Sequence, residues 1–301
     1  MKRLKWFGDR LRDGLEQYIE FAILVGAMIV PFVFNVQTNV SVDKPDMDVK
    51  DLLMYFAVKH GNFFIGMALV GLLIGLFHQV NKDRTINRGN YYHQHTMFWY
   101  SLCAKLLGYN TCNLLRVPVA TQFKLVLRDT FDHYYTGSEE VFPTAENSEK
   151  IIIQCCSRGE NGTKQFRWGN QSPAEATAGI KEGSCIYIGI SDTYPITANL
   201  LPDGCFNQHP AFVIQRDSNA QTRVRSYSPK LVQTVNDFVG LLPNEVEIHI
   251  CPTTNPKNAF RIAEDVFKTA GRDNVKSLFV HTQPNKNKGD WKFSENGKRI
   301  Y

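Results

Sequence analysis

The fold is decided by two apolar stretches near the N-terminus, Phe21–Phe34 (FAILVGAMIVPFVF) and Phe63–Phe77 (FFIGMALVGLLIGLF). Each is shorter than the roughly 20 residues that a helix needs to cross the hydrocarbon core of a bilayer. They can be lengthened to 15–36 and 52–80, because long polar side chains near helix ends can reach the membrane interface. The admitted residues are Glu16, Gln17, Glu20, Lys59 and His60. We therefore predict a transmembrane hairpin, with a buried core helix or a cleaved signal peptide as alternatives.

The charges around the two stretches predict the orientation of this hairpin. Basic residues flank it on the outside, whereas lysines in the connecting loop are offset by aspartates. The flanking residues are Lys2, Arg3, Lys5, Arg10, Arg12, Lys82, Arg84 and Arg88, and the loop residues are Lys44, Lys50, Lys59, Asp43, Asp46, Asp48 and Asp51. Because lysine and arginine accumulate on the cytoplasmic side, both chain ends and the domain after the hairpin are predicted to be cytoplasmic.

The second stretch contains a small-residue motif, Gly71-Leu-Leu-Ile-Gly75. Two small residues four positions apart let helix backbones approach closely, which predicts self-association. Glycine is also simply common in membrane helices, and the motif leaves both interpretations open.

The rest of the chain has the composition of a soluble domain. Its 301 residues, 43 % hydrophobic and 21 % charged, allow the hairpin plus one domain of about 200 residues. The net charge of +5 lies largely beside the membrane, where it faces anionic headgroups, and no DNA partner is predicted. Seven cysteines without a Cys-x-x-Cys pair indicate buried thiols in a reducing compartment. His93 and His95 would not face one ligand on a helix, and no metal site is predicted.

Strand-like and helix-like segments alternate in the second half of the chain. We predict a hairpin over residues 1–89, connector helices and a loop over 90–149, and an α/β domain over 150–301. The stretch 90–107 is expected to form a helix that packs under this domain. Three cap-and-proline pairs predict helix starts, Ser172-Pro173, Ser228-Pro229 and Asn255-Pro256. Single helices between strands predict a mainly parallel sheet with helices on its faces.

Small and polar residues follow the predicted strands. Ligands of parallel sheets bind beyond the carboxyl ends of the strands, and helix N-termini favour anions. The turn Thr253–Lys257 is therefore predicted to cradle a phosphate, with Lys257 and Arg158 as cations. The predicted ligand-binding residues are Ser157, Arg158, Ser191, Asp192, Thr253, Thr254, Asn255, Lys257, His281 and Thr282. Polar residues also end most strands for structural reasons. The chain lacks a Walker motif, a Gly-x-Gly-x-x-Gly motif and a nucleophile elbow, which argues against the common nucleotide hydrolases.

Three segments resemble a family of sensor domains. Glu247–Arg261 (EIHICPTTNPKNAFR), which precedes a final strand ending at His281, resembles the closing segment of SAVED domains, which are related to the CARF fold. Ile186–Ser191 (IYIGIS) and Leu200–Gly204 (LLPDG) resemble the middle strand of that family and the loop after it. With the two spans, the chain resembles membrane-anchored SAVED effectors of bacterial antiphage systems based on cyclic oligonucleotide signalling (CBASS).

The resemblance implies a CARF/Rossmann-like domain that recognises a cyclic di- or trinucleotide. It further implies a homo-oligomer in the bacterial inner membrane that damages the lipid bilayer, without catalysis and without a cofactor. Two other classes of function stay open. An enzyme would need a nucleophile and a base, such as Cys205 with His209, or Ser191 with Asp192 and His281. A structural subunit of an envelope or secretion complex would use the domain to bind protein.

Overall fold

A computed structural model describes residues 2–34, 55, 59–89, 91–146, 148–158, 164–166, 169–203, 209–217, 225–270, 274–283 and 291–301, with residues 2–13, 158, 269 and 270 described by their backbone alone. The loop charges at 43–51, which entered the orientation prediction, lie outside the described residues.

The chain divides into two compact units. We call the first the membrane unit and the second the sheet unit. The membrane unit contains Met1–Tyr91, His95–Asn113 and Phe131–Tyr134, and the sheet unit contains Tyr92–Gln94, Leu114–Thr130 and Tyr135–Tyr301.

The described elements follow in this order: α1 (Lys2–Val33), α2 (Gly61–Asn81), β1 (Thr85–Ile86), α3 (Met97–Lys105), β2 (Thr111–Asn113), α4 (Val119–Leu127), β3 (His133–Tyr135), β4 (Ile151–Arg158), β5 (Lys164–Phe166), α5 (Pro173–Thr177), β6 (Cys185–Ser191), a 3-10 turn (Ala198–Leu200), β7 (Ala211–Arg216), α6 (Pro229–Gly240), β8 (Val246–Pro252), α7 (Pro256–Arg261) with a π-helical continuation (Ile262–Ala270), β9 (Val275–Val280) and β10 (Lys298–Arg299). β1, β2 and β3 form a small sheet, and the other strands form a seven-stranded sheet.

α1 and α2 confirm the prediction of two apolar helices. Both are long and apolar enough to cross a membrane, over Gly14–Val33 and Gly61–Asn81. Many of their large apolar side chains are exposed, among them Ile23, Ile29, Leu72 and Leu76. An apolar surface of this extent is unfavourable in water and suits lipid.

The two helices of the hairpin approach each other closely at Gly66. A Cβ atom at this position would lie 3.0 Å from the carbonyl oxygen of Met28, so a larger residue would push the helices apart. Gly71 and Gly75, the predicted association pair, would meet no described atom within 4 Å. These two glycines are not the positions of close approach between α1 and α2, and their role in self-association stays a prediction.

Glu20, a polar residue of α1, finds its partners within the membrane unit. Its carboxylate accepts hydrogen bonds from Asn81 Nδ2 (3.1 Å) and from the Tyr109 hydroxyl (3.0 Å). Arg84 Nη1 lies 3.6 Å away. This side chain was predicted to lie near the membrane interface, which stays a prediction. Its pairing with polar groups lowers the cost of a carboxylate in a membrane helix.

The predicted connector helix is shorter than expected and packs on the hairpin. It begins at Met97 instead of 90, and the Thr96 hydroxyl caps it by accepting a hydrogen bond from Trp99 N. The ring of Trp99 stacks on Tyr18 of α1, with ring centroids 4.4 Å apart. α3 therefore belongs to the membrane unit, and its packing under the α/β domain stays a prediction.

The large sheet is mixed, in the order β10-β9-β8-β6-β7-β4-β5. β9, β8, β6 and β7 are parallel, as predicted, whereas β10, β4 and β5 pair antiparallel with their neighbours. The prediction of a mainly parallel sheet grouped the end of β4 with the ends of the parallel strands. The antiparallel direction of β4 corrects this grouping and changes where two predicted site residues, Ser157 and Arg158, lie.

The described helices of the sheet unit cover one face of this sheet, which we call the helix face. Buried side chains such as Ile188 and Ile250 point to it, and the rings of Phe212 and Phe238 meet there at 5.1 Å. Residues at alternate positions point to the other side. That side, the loop face, is covered by segments such as the 3-10 turn and Phe293. The expectation of helices on both faces is therefore wrong for the described residues.

Candidate ligand-binding site

The connections that leave the neighbouring strands β6 and β8 run to opposite faces of the sheet. β6 leads to the 3-10 turn on the loop face, and β8 leads to α7 on the helix face. In an open sheet, ligands bind in the crevice that forms where such connections diverge. We call the space beyond Ser191 and Pro252, the last residues of these strands, the switch-point crevice.

The carboxylate of Asp192 is the hydrogen-bonding centre of this crevice. Its Oδ2 accepts hydrogen bonds from Asn255 N (3.1 Å), Asn255 Nδ2 (3.0 Å) and Asn258 Nδ2 (2.8 Å). Its Oδ1 accepts a hydrogen bond from Arg216 Nη1 at 2.7 Å. The side chain of Asp192 is only 1 % exposed. The crevice therefore already holds an anion that belongs to the chain itself.

The start of α7 has the predicted capping structure. Asn255 is the N-cap, and its Oδ1 accepts a hydrogen bond from Asn258 N at 3.0 Å. Pro256 occupies the first helical position, where its missing N–H costs nothing. The turn that the sequence predicted at Thr253–Lys257 is thus formed. The backbone amide of Asn255 in this turn donates its hydrogen bond to Asp192. Its binding of a phosphate stays a prediction.

A buried charged network extends from Asp192 through Arg216 to Glu149. The side chains of Arg216 and Glu149 are 9 % and 8 % exposed. Burial alone lowers the pKa of Arg216, but its bonds to Asp192 and Glu149 outweigh burial and raise the pKa, so the guanidinium keeps its charge. Ser226 accepts hydrogen bonds from Arg216 through Oγ (2.8 Å) and through its carbonyl oxygen (3.3 Å).

Sequence reasoning missed this network. Glu149 lies in what was interpreted as a boundary loop, and Arg216 is the last residue of a strand. Glu149 and Arg216 are neighbours only because β4 and β7 pair antiparallel, with Ile151 opposite Arg216. The one local signal for the network was Asn258, which lies three positions after the predicted N-cap Asn255.

Two buried hydroxyl groups in the crevice have no hydrogen-bond partner among the described residues, Thr193 Oγ1 and Thr254 Oγ1. The amide of Thr193 donates to the carbonyl oxygen of Thr253 at 2.9 Å, so the two hydroxyls lie on adjoining turns. Buried polar atoms are nearly always paired with protein, water or ligand. Both hydroxyls are therefore available to a water molecule or to another polar partner. Thr254 is a predicted site residue, whereas Thr193 is not.

Two pairs of an aromatic ring and a cation border the crevice. Arg225 lies 5.8 Å from the ring centroid of Tyr194, and its Nη2 donates to the Tyr194 hydroxyl at 2.9 Å. Lys257 Nζ lies 5.1 Å from the ring centroid of Tyr227 and 2.7 Å from Glu139 Oε2. The hydrogen bond from Lys257 lowers the pKa of Glu139 to about 2. Of these residues, only Lys257 was predicted from the sequence to bind the ligand.

Ser157 and Arg158 lie at the end of the sheet opposite the crevice, where the parallel strands begin. Cys156 pairs with Ala211, the first residue of β7, and Ser157 pairs with Gln165 of β5. Because β4 is antiparallel to β7, its carboxyl end lies where the parallel strands begin. The side chain of Arg158 lies outside the description.

His281 and Thr282 lie at the crevice edge of the sheet but bond to other groups. The ring of His281 has its Nε2 at 2.8 Å from His249 Nδ1 and its Nδ1 at 2.7 Å from the carbonyl oxygen of Ser294. Burial lowers the pKa of His281. Thr282 N lies 3.4 Å from Ser294 Oγ. The structure thus groups these two residues with the chain after 291.

The structure describes one of the two predicted nucleophiles, Ser191, and not the other, Cys205. Ser191 Oγ donates to the carbonyl oxygen of Tyr194 (3.2 Å) and accepts from Ile196 N (3.1 Å). Since both ring nitrogens of His281 are engaged as described, Ser191 and His281 do not form a nucleophile–base pair here. Cys205 lies outside the described residues, so its pairing with His209 stays untested.

Fold and site together define a two-span membrane protein with a mixed α/β domain and a polar crevice at its topological switch point. The chain belongs to the family described as the SMODS- and Ubiquitin system-associated 2TM effector domain, whose model matches residues 3–294. This match confirms the predicted class, a membrane-anchored effector with two transmembrane helices.

No curated protein matches the sequence. Among solved structures, the chain is similar to the Acinetobacter baumannii Cap4 SAVED/CARF-domain containing receptor with the cyclic trinucleotide 2'3'3'-cAAA, at 8 % identity and a TM-score of 0.37 over 77 % of this chain and 44 % of that chain. The same receptor with 3'3'3'-cAAA matches at 7 % identity and a TM-score of 0.37, over 86 % and 47 %. The chain thus spans less than half the length of these receptors.

Proposed function

We propose that the protein is a sensor-effector of CBASS antiphage defence. Its sheet unit binds a cyclic di- or trinucleotide, and its membrane unit oligomerises and disrupts the bacterial inner membrane. The description of the family as a 2TM effector and the two membrane-length helices support the effector half of this proposal. No catalytic step is part of it.

The observation that carries the sensing half is the pair of unpartnered hydroxyls of Thr193 and Thr254 in the switch-point crevice. Around them, Tyr194 offers a 59 % exposed ring on which a base can stack, which is worth about 1–3 kcal/mol per base. Arg225 and Lys257 offer cations to phosphate oxygens. A cyclic ligand presents its bases and anions in fixed positions, which reduces the ordering cost of binding.

Of the residues predicted from sequence, we propose that Ser191, Asp192, Thr253, Thr254, Asn255 and Lys257 form the site. Asp192 and Asn255 shape the floor of the crevice, and Thr254 and Lys257 face the ligand. We add Thr193, Tyr194, Arg225 and Tyr227 to this set. We leave out Ser157 and Arg158, because β4 ends at the opposite end of the sheet. We leave out His281 and Thr282, because they lie near the crevice but bond to His249 and Ser294.

We propose further that both chain ends are cytoplasmic and that the loop around Asp46 is periplasmic, as the flanking charges indicate. Reporter fusions at Lys2, after Asn90 and at Asp46 test this orientation. The first two should give a cytoplasmic signal and the third a periplasmic one. A cytoplasmic signal at Asp46 would contradict the hairpin topology.

Calorimetry on the full chain in detergent tests the sensing function, with a panel of cyclic di- and trinucleotides and the corresponding linear mononucleotides. We expect one cyclic ligand to bind and the mononucleotides not to bind. Arg225→Ala should remove a charge-assisted contact and weaken binding by about 1.5–3 kcal/mol, roughly tenfold to a hundredfold.

Lys276→Ala is the matched control. Lys276 is an exposed cation of the same unit, it lies near the start of β9, and its ion pair is with Glu245. Its substitution should leave the affinity unchanged. Equal effects of the two substitutions would contradict a site at the switch point. Failure of every cyclic ligand to bind would reject the sensor and favour the structural subunit instead.

A further inference from the structure

The loop face carries a cluster of potential metal ligands that is separate from the switch-point crevice. Cys185 of β6 lies directly opposite Glu247 of β8 in the parallel register. His249 follows Glu247 by two positions, so both side chains point to the same side of the sheet. One ligand atom from each of these residues lies within 4.8 Å of the other two.

These separations suit a shared ion. Zinc binds sulfur at about 2.3 Å, and imidazole nitrogen and carboxylate oxygen at about 2.0–2.2 Å, with a tetrahedral arrangement. Two ligands of such an ion are about 3.3–3.7 Å apart by the same geometry. His249 Nε2 and Glu247 Oε1 lie 3.0 Å apart, so a small outward shift admits the ion. Cys185 is not in a disulfide.

Hydrogen bonds around His249 turn its Nε2 toward Glu247. The carbonyl oxygen of Ser294 accepts a hydrogen bond from His281 Nδ1. In the tautomer that carries its proton on Nδ1, His281 accepts from His249 Nδ1–H through Nε2, at 2.8 Å. His249 Nε2 then presents its lone pair 3.0 Å from Glu247 Oε1, where a shared ion can bind both atoms.

The surroundings hold each of the two side chains on β8 in place. Ser277 Oγ donates to the second carboxylate oxygen of Glu247, Oε2, at 2.9 Å. The ring of His249 lies between Phe279, with centroids 4.6 Å apart, and Tyr187, with centroids 4.5 Å apart. Metal-binding histidines commonly donate their other N–H to a fixed acceptor, which sets the orientation of the ring. His281 is such an acceptor for His249.

We propose that Cys185, Glu247 and His249 bind a divalent transition-metal ion, with Zn²⁺ as the ion that this set of sulfur, oxygen and nitrogen donors fits. Binding releases the thiol proton of Cys185, and any proton on His249 Nε2, to solvent. The ion joins β6 to β8 on the face that lacks described helices. Three protein ligands leave one tetrahedral position for water or for a further group.

Titration of the metal-depleted full chain in detergent with Co²⁺ tests this site. Co²⁺ bound to a thiolate in tetrahedral geometry absorbs in the visible range and shows a sulfur-to-metal charge-transfer band. We expect both signals, with Zn²⁺ displacing them. Cys185→Ser should abolish the charge-transfer band, and His249→Gln should abolish tight binding. His281→Gln should weaken binding roughly tenfold to a hundredfold, as loss of an orienting partner does.

Cys155→Ser is the matched control. Cys155 is a partly buried thiol of β4 that pairs with Phe212 and points to the helix face. It should keep the spectrum and the affinity of the parent chain. Circular dichroism of every variant checks that the fold is retained. A parent chain that binds no Co²⁺ would overturn the proposal and assign a proton to the position between His249 and Glu247. Unchanged binding by Cys185→Ser would overturn it as well.

Discussion

The two faces of the seven-stranded sheet are built from the same strands but from different chemistry. The helix face is filled by apolar side chains such as Ile188, Ile250 and Phe238, each with no more than 1 % of its surface exposed. The loop face carries Glu247 and His249 on one of those same strands, both partly exposed. A strand alternates its side chains between faces, so one segment can build a dry core and a reactive surface at once. Around Glu247 and His249 the apolar burial therefore lies mainly on the first face. Nearer the crevice, the loop face has a buried apolar cluster of its own, which includes Val213, Cys251 and Phe293.

The largest expected effect tests this division of stability. Phe238→Ala should lower the free energy of unfolding by about 3–5 kcal/mol, because it leaves a cavity on the helix face. Phe279→Ala, at a half-buried ring on the loop face, should cost about 1 kcal/mol, since less apolar area returns to water. Urea unfolding of the full chain in detergent measures both. Equal losses would show that the loop face is as tightly packed as the helix face.

The next prediction concerns charges buried at the crevice edge of the sheet. Arg216→Met should destabilise the chain by about 3 kcal/mol, because Asp192 and Glu149 would lose their shared cation inside the protein. Adding Asp192→Asn should recover part of this loss, since it removes one of the uncompensated charges. The same urea unfolding reads out both variants. A mild effect of Arg216→Met alone would mean that the network is more open to solvent than the structure shows.

Ligand affinity can show at which end of the strands the cyclic ligand binds. Lys257→Ala, at the carboxyl ends of the parallel strands, should weaken binding of the cyclic ligand by about 1.5–3 kcal/mol. Arg158→Ala, at the opposite edge, should leave the affinity unchanged, although both residues were predicted cations. Calorimetry compares the two. A loss with Arg158→Ala and none with Lys257→Ala would move the site to the other edge.

The smallest effect extends the contrast between filled and open surfaces to the membrane unit. Gly66 is closed against Met28, whereas Gly71 and Gly75 face open space. Replacing Gly71 and Gly75 together by Ile should weaken self-association by about 1–2 kcal/mol, the scale of interhelical contacts in model peptides. Gly26→Ile, at an equally open glycine of α1, serves as control. Crosslinking in detergent reads the oligomer distribution, and identical distributions would assign these glycines to composition alone.

Features that depend on local chemistry could be predicted from the sequence. The hairpin followed from two apolar runs with basic flanks, and Ser172, Ser228 and Asn255 cap helices where the sequence placed them. In each case the residues that decide the structure are neighbours in the chain, so a pattern of a few positions contains the information.

Features that depend on strand order could not be predicted in this way. Nothing in the residues of β4 states that it pairs antiparallel with β7, and that pairing separates Ser157 from Ser191 and brings Glu149 to Arg216. The cluster on the loop face is an intermediate case. Glu247 and His249 share a face by strand periodicity, a signal present in the sequence, but the register that adds Cys185 is long-range.

The carboxylate of Asp192 at the start of α7 has a consequence for discrimination among anions. A second negative charge about 4 Å from a lone carboxylate meets a repulsion of about 4 kcal/mol at an effective dielectric constant of about 20, and Arg216, which bonds to Asp192 at 2.7 Å, offsets part of it here. A compact, highly charged ligand such as a nucleoside triphosphate concentrates its charge and would meet most of the repulsion that remains. A ring that spreads single charges over its circumference can keep them apart from Asp192 and close to Arg225 and Lys257. At the site we propose, the internal anion would thus select ligands by the spacing of their charges instead of by their number.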